Sequence, residues 1–297
     1  MKIPAAHILK QFVNRTQEIS EFETLLSGST KRVMGVYGPG GIGKSILLSR
    51  MMAVADGRGL RWVYLEWEDS RRYSYLDIMR QLRDATERSA FQTFNDVVNF
   101  YTVPQYKVTL EGPGANIQGV SVLQGAEVSQ SQVTVNIGHN IEIIDRGLTT
   151  RRPDQDVSEQ EMMIEVTRAF ITCLQTATAN SPLVIFLDAL EKADALTLKW
   201  MWEELLEAVR DEQLEHLLVI LSGRNGFEPD PTFFDAMDVY ELHPFKTDNI
   251  FDYLVTRGLE KQADALADFI LAISNGNPLQ VAMNVDTYLR MLRQKSR

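Results

Sequence analysis

The sequence is poor in cysteine and histidine and has no long apolar run. Its one cysteine, Cys173, excludes an internal disulfide framework. No apolar run approaches the ~20 residues that a membrane-spanning helix needs, and the first ten residues do not form a signal-peptide pattern. The four histidines are scattered without the spacing of metal ligands. We therefore expect a cytoplasmic protein without a membrane partner.

Positive charge is also scarce. The chain has 30 basic and 40 acidic residues, which gives a net charge of −10. Contacts to phosphate backbones demand a basic surface, so this balance argues against a nucleic-acid partner. Basic clusters at residues 71–72, 146–152 and 290–297 keep that partner as an alternative, although each cluster is also explained as a solvated face.

Apolar runs that are typical of buried strands alternate with helical periodicities along the chain. These runs are Arg32–Tyr37, Trp62–Trp67, Leu183–Leu187, Leu217–Leu221 and Val239–Leu242. Such alternation predicts an α/β fold in which helices cover both faces of a parallel sheet in three layers. From Thr247 onward every pattern is helical, in about three helices. We therefore expect the α/β domain over residues 1–243 and a small helical lid over 244–297.

Residues 102–150 differ in kind from the rest of the chain. Between Gly112 and Ile141 the only charged residue is Glu127, and glycine, glutamine, serine and β-branched residues dominate. Val133–Ile137 alternates apolar with polar residues, which indicates β-hairpins inserted into the α/β domain. A low-charge loop is the alternative interpretation.

A glycine-rich turn follows the first apolar run. It fits G-x-x-x-x-G-K-[ST] at every fixed position, with Gly38, Pro39, Gly40, Gly41, Ile42, Gly43, Lys44 and Ser45. Glycines let successive backbone N–H groups point at phosphate oxygens, and the helix that follows adds its N-terminal dipole. Lys44 would reach the β- and γ-phosphates, Ser45 would ligate Mg²⁺, and Ile46 would continue the contact. A purely structural turn is the alternative.

A phosphate loop of this kind needs an acid on a neighbouring strand to hold Mg²⁺. Asp188 follows the apolar run Leu183–Leu187 directly, so we predict that it is this acid, with helix capping as the alternative. Glu191 lies three residues further on. It would orient or deprotonate the attacking water, or else complement the dipole of a helix as a first-turn acid.

The sequence favours ATP and ADP over guanine nucleotides. Guanine-specific phosphate-loop proteins usually carry an [NT]-K-x-D element, and the nearest string here, Phe245–Asp248, lacks its first residue. No D-x-x-G follows the metal-side acid either. The expected cofactors are therefore ATP or ADP with Mg²⁺.

Four further motifs resemble those of the STAND ATPases, which include the NB-ARC and NACHT modules of the AAA+ branch. Phe12–Ile19 is similar to the entry motif F-V-G-R-x-x-E-[LI], with Asn14 in the place of glycine. Asp188–Glu191 is similar to D-G-h-[DE], with Ala189 in the place of glycine. Leu221–Arg224 looks like the sensor at a strand end, and Asn275–Leu279 resembles the lid motif G-[LN]-P-L.

The resemblance implies roles for further residues. Val13 and Arg15 would flank the adenine, Arg224 would sense the γ-phosphate, and Pro278 would pack near the base. Read by themselves, Arg224 is explained as an exposed strand-end residue and Pro278 as the first residue of a helix. STAND proteins usually continue into a winged-helix domain and a sensor region, whereas this sequence stops at residue 297.

These features together predict a nucleotide-dependent signalling switch with slow, Mg²⁺-dependent ATP hydrolysis. We expect self-association or a protein partner through the β-rich insertion and the nucleotide face. One alternative is an AAA+-like motor or loader that acts on DNA or protein. Another is a scaffold that binds nucleotide without hydrolysis, in which exposed strand edges of the insertion pair with a partner.

Overall fold

The computed structural model describes residues 13–68, 73–102, 108–110, 141–143, 159–227, 231–233 and 235–295. The chain divides into two compact units. One consists of Met1–Phe94 with Thr167–Arg297, and the other of Asn95–Val166. Within the described ranges, no helix has both the length and the apolar character required to cross a membrane.

The secondary structure alternates between strands and helices, as the sequence predicts. The strands are β1 (Val33–Tyr37), β2 (Arg61–Glu66), β3 (Val108–Leu110), β4 (Ile141–Ile143), β5 (Leu183–Asp188), β6 (Leu217–Gly223) and β7 (Met237–Glu241). The helices are α1 (Thr16–Leu26), α2 (Lys44–Gly57), α3 (Tyr75–Asp84), α4 (Gln92–Thr102), α5 (Glu159–Thr178), α6 (Ala195–Trp200), α7 (Glu207–Arg210), α8 (Thr247–Thr256), α9 (Ala263–Ser274) and α10 (Pro278–Lys295).

Five strands form one parallel sheet in the order β2-β5-β6-β1-β7. Every residue of β5 and β6 is buried. Strands that are covered on both faces need continuous apolar runs rather than an alternation, and this is why these two runs are identifiable in the sequence. The predicted α/β fold with a parallel sheet is confirmed. Its carboxyl edge collects the ends of β1, β5 and β6, where a ligand site is expected.

Helix α2 packs its apolar residues on the sheet next to the phosphate loop. Leu47, Leu48 and Met51 are fully buried in one cluster with residues of β1, β5 and β6. The Phe22 ring of α1 lies 5.9 Å from the Phe186 ring of β5 in the same cluster. Burial of each such side chain stabilises the fold by roughly 1.5–3 kcal/mol, so the loop is held between two well-packed elements.

Two local features of the structure differ from what the sequence patterns indicate. Asn14 and Gln17 have the spacing of a capping box, yet α1 begins after Arg15 and has no side-chain cap. Asn14 instead has a φ of 63°, in the left-handed region that glycine favours and asparagine tolerates. Helix α4 was missed, and α6 is joined to α7 by a π-helical segment, Met201–Leu206, that no periodicity in the sequence indicates.

In the smaller unit, β3 and β4 form an antiparallel pair in which Thr109 lies opposite Glu142. The Tyr101 hydroxyl of α4 donates a hydrogen bond to Glu165 of α5. The alternating run at residues 133–137 lies outside the described residues. The β-rich insertion over 102–150 therefore stays a prediction.

Helices α8, α9 and α10 enclose a separate apolar cluster. Its buried members include Ile250, Leu254, Ile270 and Val281, and Val13 packs against it from the entry segment. The turn between α9 and α10 uses left-handed backbone at Asn275 and Gly276. We refer to residues 244–295 as the lid, in keeping with the predicted subdomain.

Candidate nucleotide-binding site

The phosphate loop leaves β1 and enters α2, and there is open space beside two of its glycines. Gly43 has a φ of 100°, which side chains rarely adopt. A Cβ atom added at Gly40 or Gly43 would meet no atom within 4 Å. The first N–H groups of α2 have no partner within the helix. A glycine-rich loop at a helix N-terminus is suited to a phosphate group.

Lys44 and Ser45 are the first two residues of α2. The Lys44 ammonium donates to the carbonyl oxygens of Gly38 (2.7 Å) and Pro39 (3.2 Å), so it lies across the loop. Burial lowers the pKa of Lys44, while the carboxylates of Glu191 and Asp188 act in the opposite direction. The side chain of Ser45 is exposed on the same face. Both groups can reach a phosphate held by the loop.

Asp188 ends β5 with only 2% of its surface exposed. Its Oδ2 accepts hydrogen bonds from Ser45 Oγ (2.7 Å) and from the Tyr64 hydroxyl (2.9 Å). Its Oδ1 accepts from Ser222 Oγ (2.6 Å) and from the Ala189 backbone N–H (2.9 Å). These contacts place the acid directly beside the hydroxyl that the sequence assigns to the metal, and they differ from those of a helix cap.

Ala189, which stands where the similar signature has glycine, has left-handed backbone. Its φ is 60°, a strained value for a residue with a Cβ atom. This conformation begins the short 3₁₀-helix Leu190–Lys192, which carries Glu191. The departure from glycine is therefore accommodated at the expense of local strain.

Glu191 and Arg224 form an ion pair at the edge of the site. Arg224 Nε lies 3.1 Å from Glu191 Oε1, and the Arg224 backbone N–H donates to Oε2 at 3.1 Å. The Arg224 side chain is 61% exposed, whereas that of Glu191 is 18% exposed. The two charges also act on the Lys44 ammonium. The structure thus brings Lys44, Ser45, Asp188, Glu191 and Arg224 into one group.

Arg15 connects the entry segment to the phosphate loop and to the base of the lid. Its guanidinium donates to the carbonyl oxygens of His243 (2.7 Å) and Ile42 (3.2 Å) and lies 3.6 Å from a Glu18 oxygen. It also stands 5.9 Å from the centre of the Phe245 ring. Burial lowers the pKa of Arg15, and the Glu18 charge opposes that shift. Adenine contacts by Val13 and Arg15 stay predictions.

The lid contacts the phosphate loop through the residues that precede and begin α10. Asn277 Nδ2 donates to the Gly40 carbonyl oxygen at 3.0 Å, and the Leu279 backbone N–H donates to that of Gly41 at 3.1 Å. Asn277 Oδ1 accepts from the Leu279 N–H at 3.1 Å and so caps the helix. Pro278 is the first residue of α10, which is also its local helix-starting role.

The site fits a metal ion that is held partly by nucleotide. Ser45 and Asp188 offer the oxygen ligands that Mg²⁺ prefers. In the part of the chain that the structure describes, no group of three or more His, Cys, Asp or Glu side chains could hold a metal alone. Phosphate oxygens would then supply the remaining ligands, as is usual for Mg²⁺ in ATP sites.

Three residues of the site were missed in the sequence. Tyr64 and Ser222 bind Asp188 from the strands on either side of β5, and Asn277 binds the phosphate loop from the lid. Ser222 and Asn277 lie inside motifs that the resemblance identifies. Tyr64 lies two residues before the end of β2, and only the pairing of β2 with β5 shows its proximity to Asp188.

The chain is similar to a known protein family and to several solved structures. A family model described as AAA ATPase domain matches residues 11–220. Cdc6p from Pyrobaculum aerophilum is similar in structure, with 13% identity, a TM-score of 0.52, and coverage of 98% of this chain and 66% of that one. The chain thus spans just under two thirds of the Cdc6p chain. No curated protein matches the sequence.

Two other solved structures match at lower similarity. A STAND protein with a tetratricopeptide repeat sensor from Pyrococcus horikoshii is 11% identical, with a TM-score of 0.46, and the match covers 91% of this chain and 29% of that one. The replication initiator DnaA, bound to AMPPCP and single-stranded DNA, is 10% identical, with a TM-score of 0.48 and coverage of 100% and 70%.

The family model spans most of the chain, including the phosphate loop and the strand that ends in Asp188. The parallel sheet brings both to its carboxyl edge, with β6 between β1 and β5, and Ser45 Oγ lies 2.7 Å from Asp188 Oδ2 there. The chain therefore belongs to the AAA ATPase domain family and is a P-loop AAA+ ATPase module.

Proposed function

We propose that the chain is a STAND-type signalling switch, whose conformation changes with bound ATP or ADP and which hydrolyses ATP slowly. The observation that carries this proposal is the direct contact between lid and phosphate loop, where Asn277 bonds to the Gly40 carbonyl. A loop that closes around phosphates changes the position of its carbonyl groups. The lid would follow, which couples nucleotide occupancy to lid position.

The roles of the side chains follow from their present partners. Lys44 would exchange the carbonyls of Gly38 and Pro39 for the β- and γ-phosphates, since its ammonium already lies over the loop. Ser45 and Asp188 would hold Mg²⁺, which when bound screens the charge of the phosphates. The main-chain bend at Gly43 would let the N-terminal N–H groups of α2 bind a phosphate.

The pairing of Glu191 with Arg224 supports slow turnover. Glu191 must be available to orient the attacking water, yet here its two oxygens contact Arg224. Arg224 would be drawn to a γ-phosphate and would then free Glu191. Hydrolysis would thus follow ATP binding only after this ion pair opens, and a positive group from a partner could accelerate the step.

The test uses the purified full chain. Denaturing it and identifying the released nucleotide by chromatography should give adenine nucleotide, and Lys44→Ala should lose it. Lys199→Ala is the matched control, because its ammonium lies 3.8 Å from Glu203 on an exposed helix face. Adenine nucleotide that stays bound in Lys44→Ala, or guanine nucleotide in the wild type, would contradict the proposal.

Turnover and assembly are tested on the same sample. We expect slow ATP hydrolysis and a mass in analytical ultracentrifugation that differs between ATP and ADP, as self-association of a switch requires. Retained nucleotide without any ATP hydrolysis would instead support the alternative of a scaffold that binds nucleotide and does not hydrolyse it. In that case deleting residues 112–141 should change the oligomer size.

An ATPase that acts on DNA is the second candidate. The comparisons lend no support to the expectation that nucleic acid is not a partner. Basic side chains on the lid favour this candidate, since Arg257, Arg290 and Arg293 line one pocket with Asp286 and Leu289. Titration of a fluorescent single-stranded oligonucleotide tests it. Binding that weakens with salt and is lost in Arg290→Glu with Arg293→Glu would favour DNA over a signalling role.

A further inference from the structure

The Asp188 carboxylate is saturated with hydrogen-bond donors. A carboxylate offers about four lone-pair sites. Within the described residues, the two oxygens of Asp188 accept from Ser45, Tyr64, Ser222 and the Ala189 N–H. No lone-pair site is then left for a hydrated Mg²⁺ ion. One donor has to leave before the acid can take part in metal binding.

The two oxygens of Asp188 differ in what they face. Oδ1 contacts the Ser222 hydroxyl, which belongs to a fully buried residue, and the adjoining backbone N–H. Oδ2 contacts Tyr64 and the exposed Ser45, which lies in the first turn of α2. The metal side of the carboxylate is therefore Oδ2. A donor that competes with the metal has to be one of the two on this oxygen.

We propose that the Tyr64 hydroxyl occupies the position on Asp188 Oδ2 that a hydrated Mg²⁺ ion needs, and that Mg-ATP binds by displacing it. This inference rests on the proposed function of the site. Ser45 can turn its oxygen toward the metal while its hydrogen stays on Asp188. The Tyr64 hydroxyl has a single hydrogen and, unlike Ser45, is not assigned to the metal as a ligand. It is therefore the donor that leaves Asp188.

The displaced hydroxyl has an acceptor nearby. Glu66 lies two residues further along β2, on the same face of the strand, and its charge acts on the Tyr64 hydroxyl. The register of the sheet sets Glu66 beside Asp188. Tyr64 would thus move its hydrogen bond from one carboxylate to the other. The Tyr64 hydroxyl thus supplies a hydrogen bond to Asp188 when no nucleotide is bound, and it competes with the metal for Oδ2.

The test is Tyr64→Phe, which removes only the hydroxyl. Titration calorimetry of the full chain gives the ATP dissociation constant in Mg²⁺ and in EDTA, and their ratio measures the gain from the metal. Loss of one competing hydrogen bond to a charged acceptor should raise this gain by about tenfold. The constant in EDTA should not change, which also shows that the variant is folded. Tyr240 is half-buried on β7. The control variant Tyr240→Phe should therefore match the wild type in the dissociation constant with Mg²⁺ and in that with EDTA.

Ser222→Ala separates displacement from a general change in the basicity of Asp188. It also removes one donor, but from the buried oxygen, so the gain from Mg²⁺ should not rise. An equal rise in Ser222→Ala and Tyr64→Phe, or an unchanged or smaller gain in Tyr64→Phe, would overturn the role of Tyr64. A wild-type chain that binds no ATP would refute the proposed function itself.

Discussion

Gly276, in the turn between α9 and α10, gives the sharpest test of how the lid is held. Its φ is 68°, and an added Cβ atom would lie 2.2 Å from the Phe245 carbonyl oxygen and 3.1 Å from Pro244 Cβ. The obstructing atoms belong largely to backbone, which cannot move aside as a flexible side chain can. The Phe245 N–H also donates to the Gly276 carbonyl at 2.7 Å, so a shift at either residue breaks this bond.

The loss in Gly276→Ala has two parts. Left-handed backbone at a residue with a Cβ atom costs roughly 1–2 kcal/mol. Overpacking against the Phe245 carbonyl adds about 1–3 kcal/mol, so the free energy of unfolding should fall by roughly 2–5 kcal/mol. Gly258→Ala is the matched control in the same lid, because its φ is 77° and an added Cβ atom would meet nothing within 4 Å. Only the backbone part applies there.

Urea unfolding of both variants measures the difference, with ATP affinity as a second readout. Asn277 follows Gly276 directly and bonds to the phosphate loop, so Gly276→Ala should also weaken ATP binding, whereas Gly258→Ala should not. Equal destabilisation by the two substitutions would show that contact of the added Cβ atom with the Phe245 carbonyl oxygen does not cause the loss in Gly276→Ala. Unchanged ATP affinity in a destabilised Gly276→Ala would refute the coupling between lid and loop.

Three further substitutions test separate contacts. Asn277→Ala should release the lid from the loop and weaken ATP binding by about tenfold, with little change in sheet stability, in calorimetry and urea unfolding; unchanged affinity would contradict this. Arg15→Lys loses a guanidinium whose Nη2 donates to two carbonyl oxygens while Nη1 lies near Glu18, and the free energy of unfolding should fall by roughly 1–3 kcal/mol, whereas an unaltered urea midpoint would show that the contacts are dispensable. Asp194 caps α6. Burial raises the pKa of Asp194, but hydrogen bonds from Thr197 outweigh this effect and hold the pKa below its usual value. This depressed pKa contributes stability above the unfolded pKa that is lost as pH falls through the folded pKa, so Asp194→Ala should cost ~1 kcal/mol at pH 7 and progressively less in acid; a loss independent of pH would contradict it.

Much of the fold was predictable because its signals are local. Strands buried on both faces require continuous apolar runs, and β5 and β6 follow that requirement. The phosphate loop and Asp188 could be placed because their chemistry fixes residue types at fixed spacings. The STAND assignment, the adenine contacts and the domain boundaries stay predictions.

There is a physical reason why the hydrogen-bond partners of Asp188 could not be predicted from the sequence. Tyr64 and Ser222 reach it only because β2 and β6 lie on either side of β5, and the order of strands in a sheet depends on long-range packing. The false capping box at Asn14 has a related cause. Its side-chain pattern fits a helix start, but Arg15 is instead drawn into contacts with distant carbonyl groups.

The four hydrogen bonds on Asp188 also have a mechanical consequence. They join one side chain to β2, β6 and the first turn of α2, so a slide of any of these elements past β5 breaks one of these hydrogen bonds. We therefore expect larger backbone movement during a nucleotide cycle in the lid than in the sheet, since the lid meets the phosphate loop through the half-buried side chain of Asn277. Amide hydrogen exchange should separate the two regions. Protons of β5 would exchange only through global unfolding, and those at the start of α10 through a smaller opening that nucleotide suppresses.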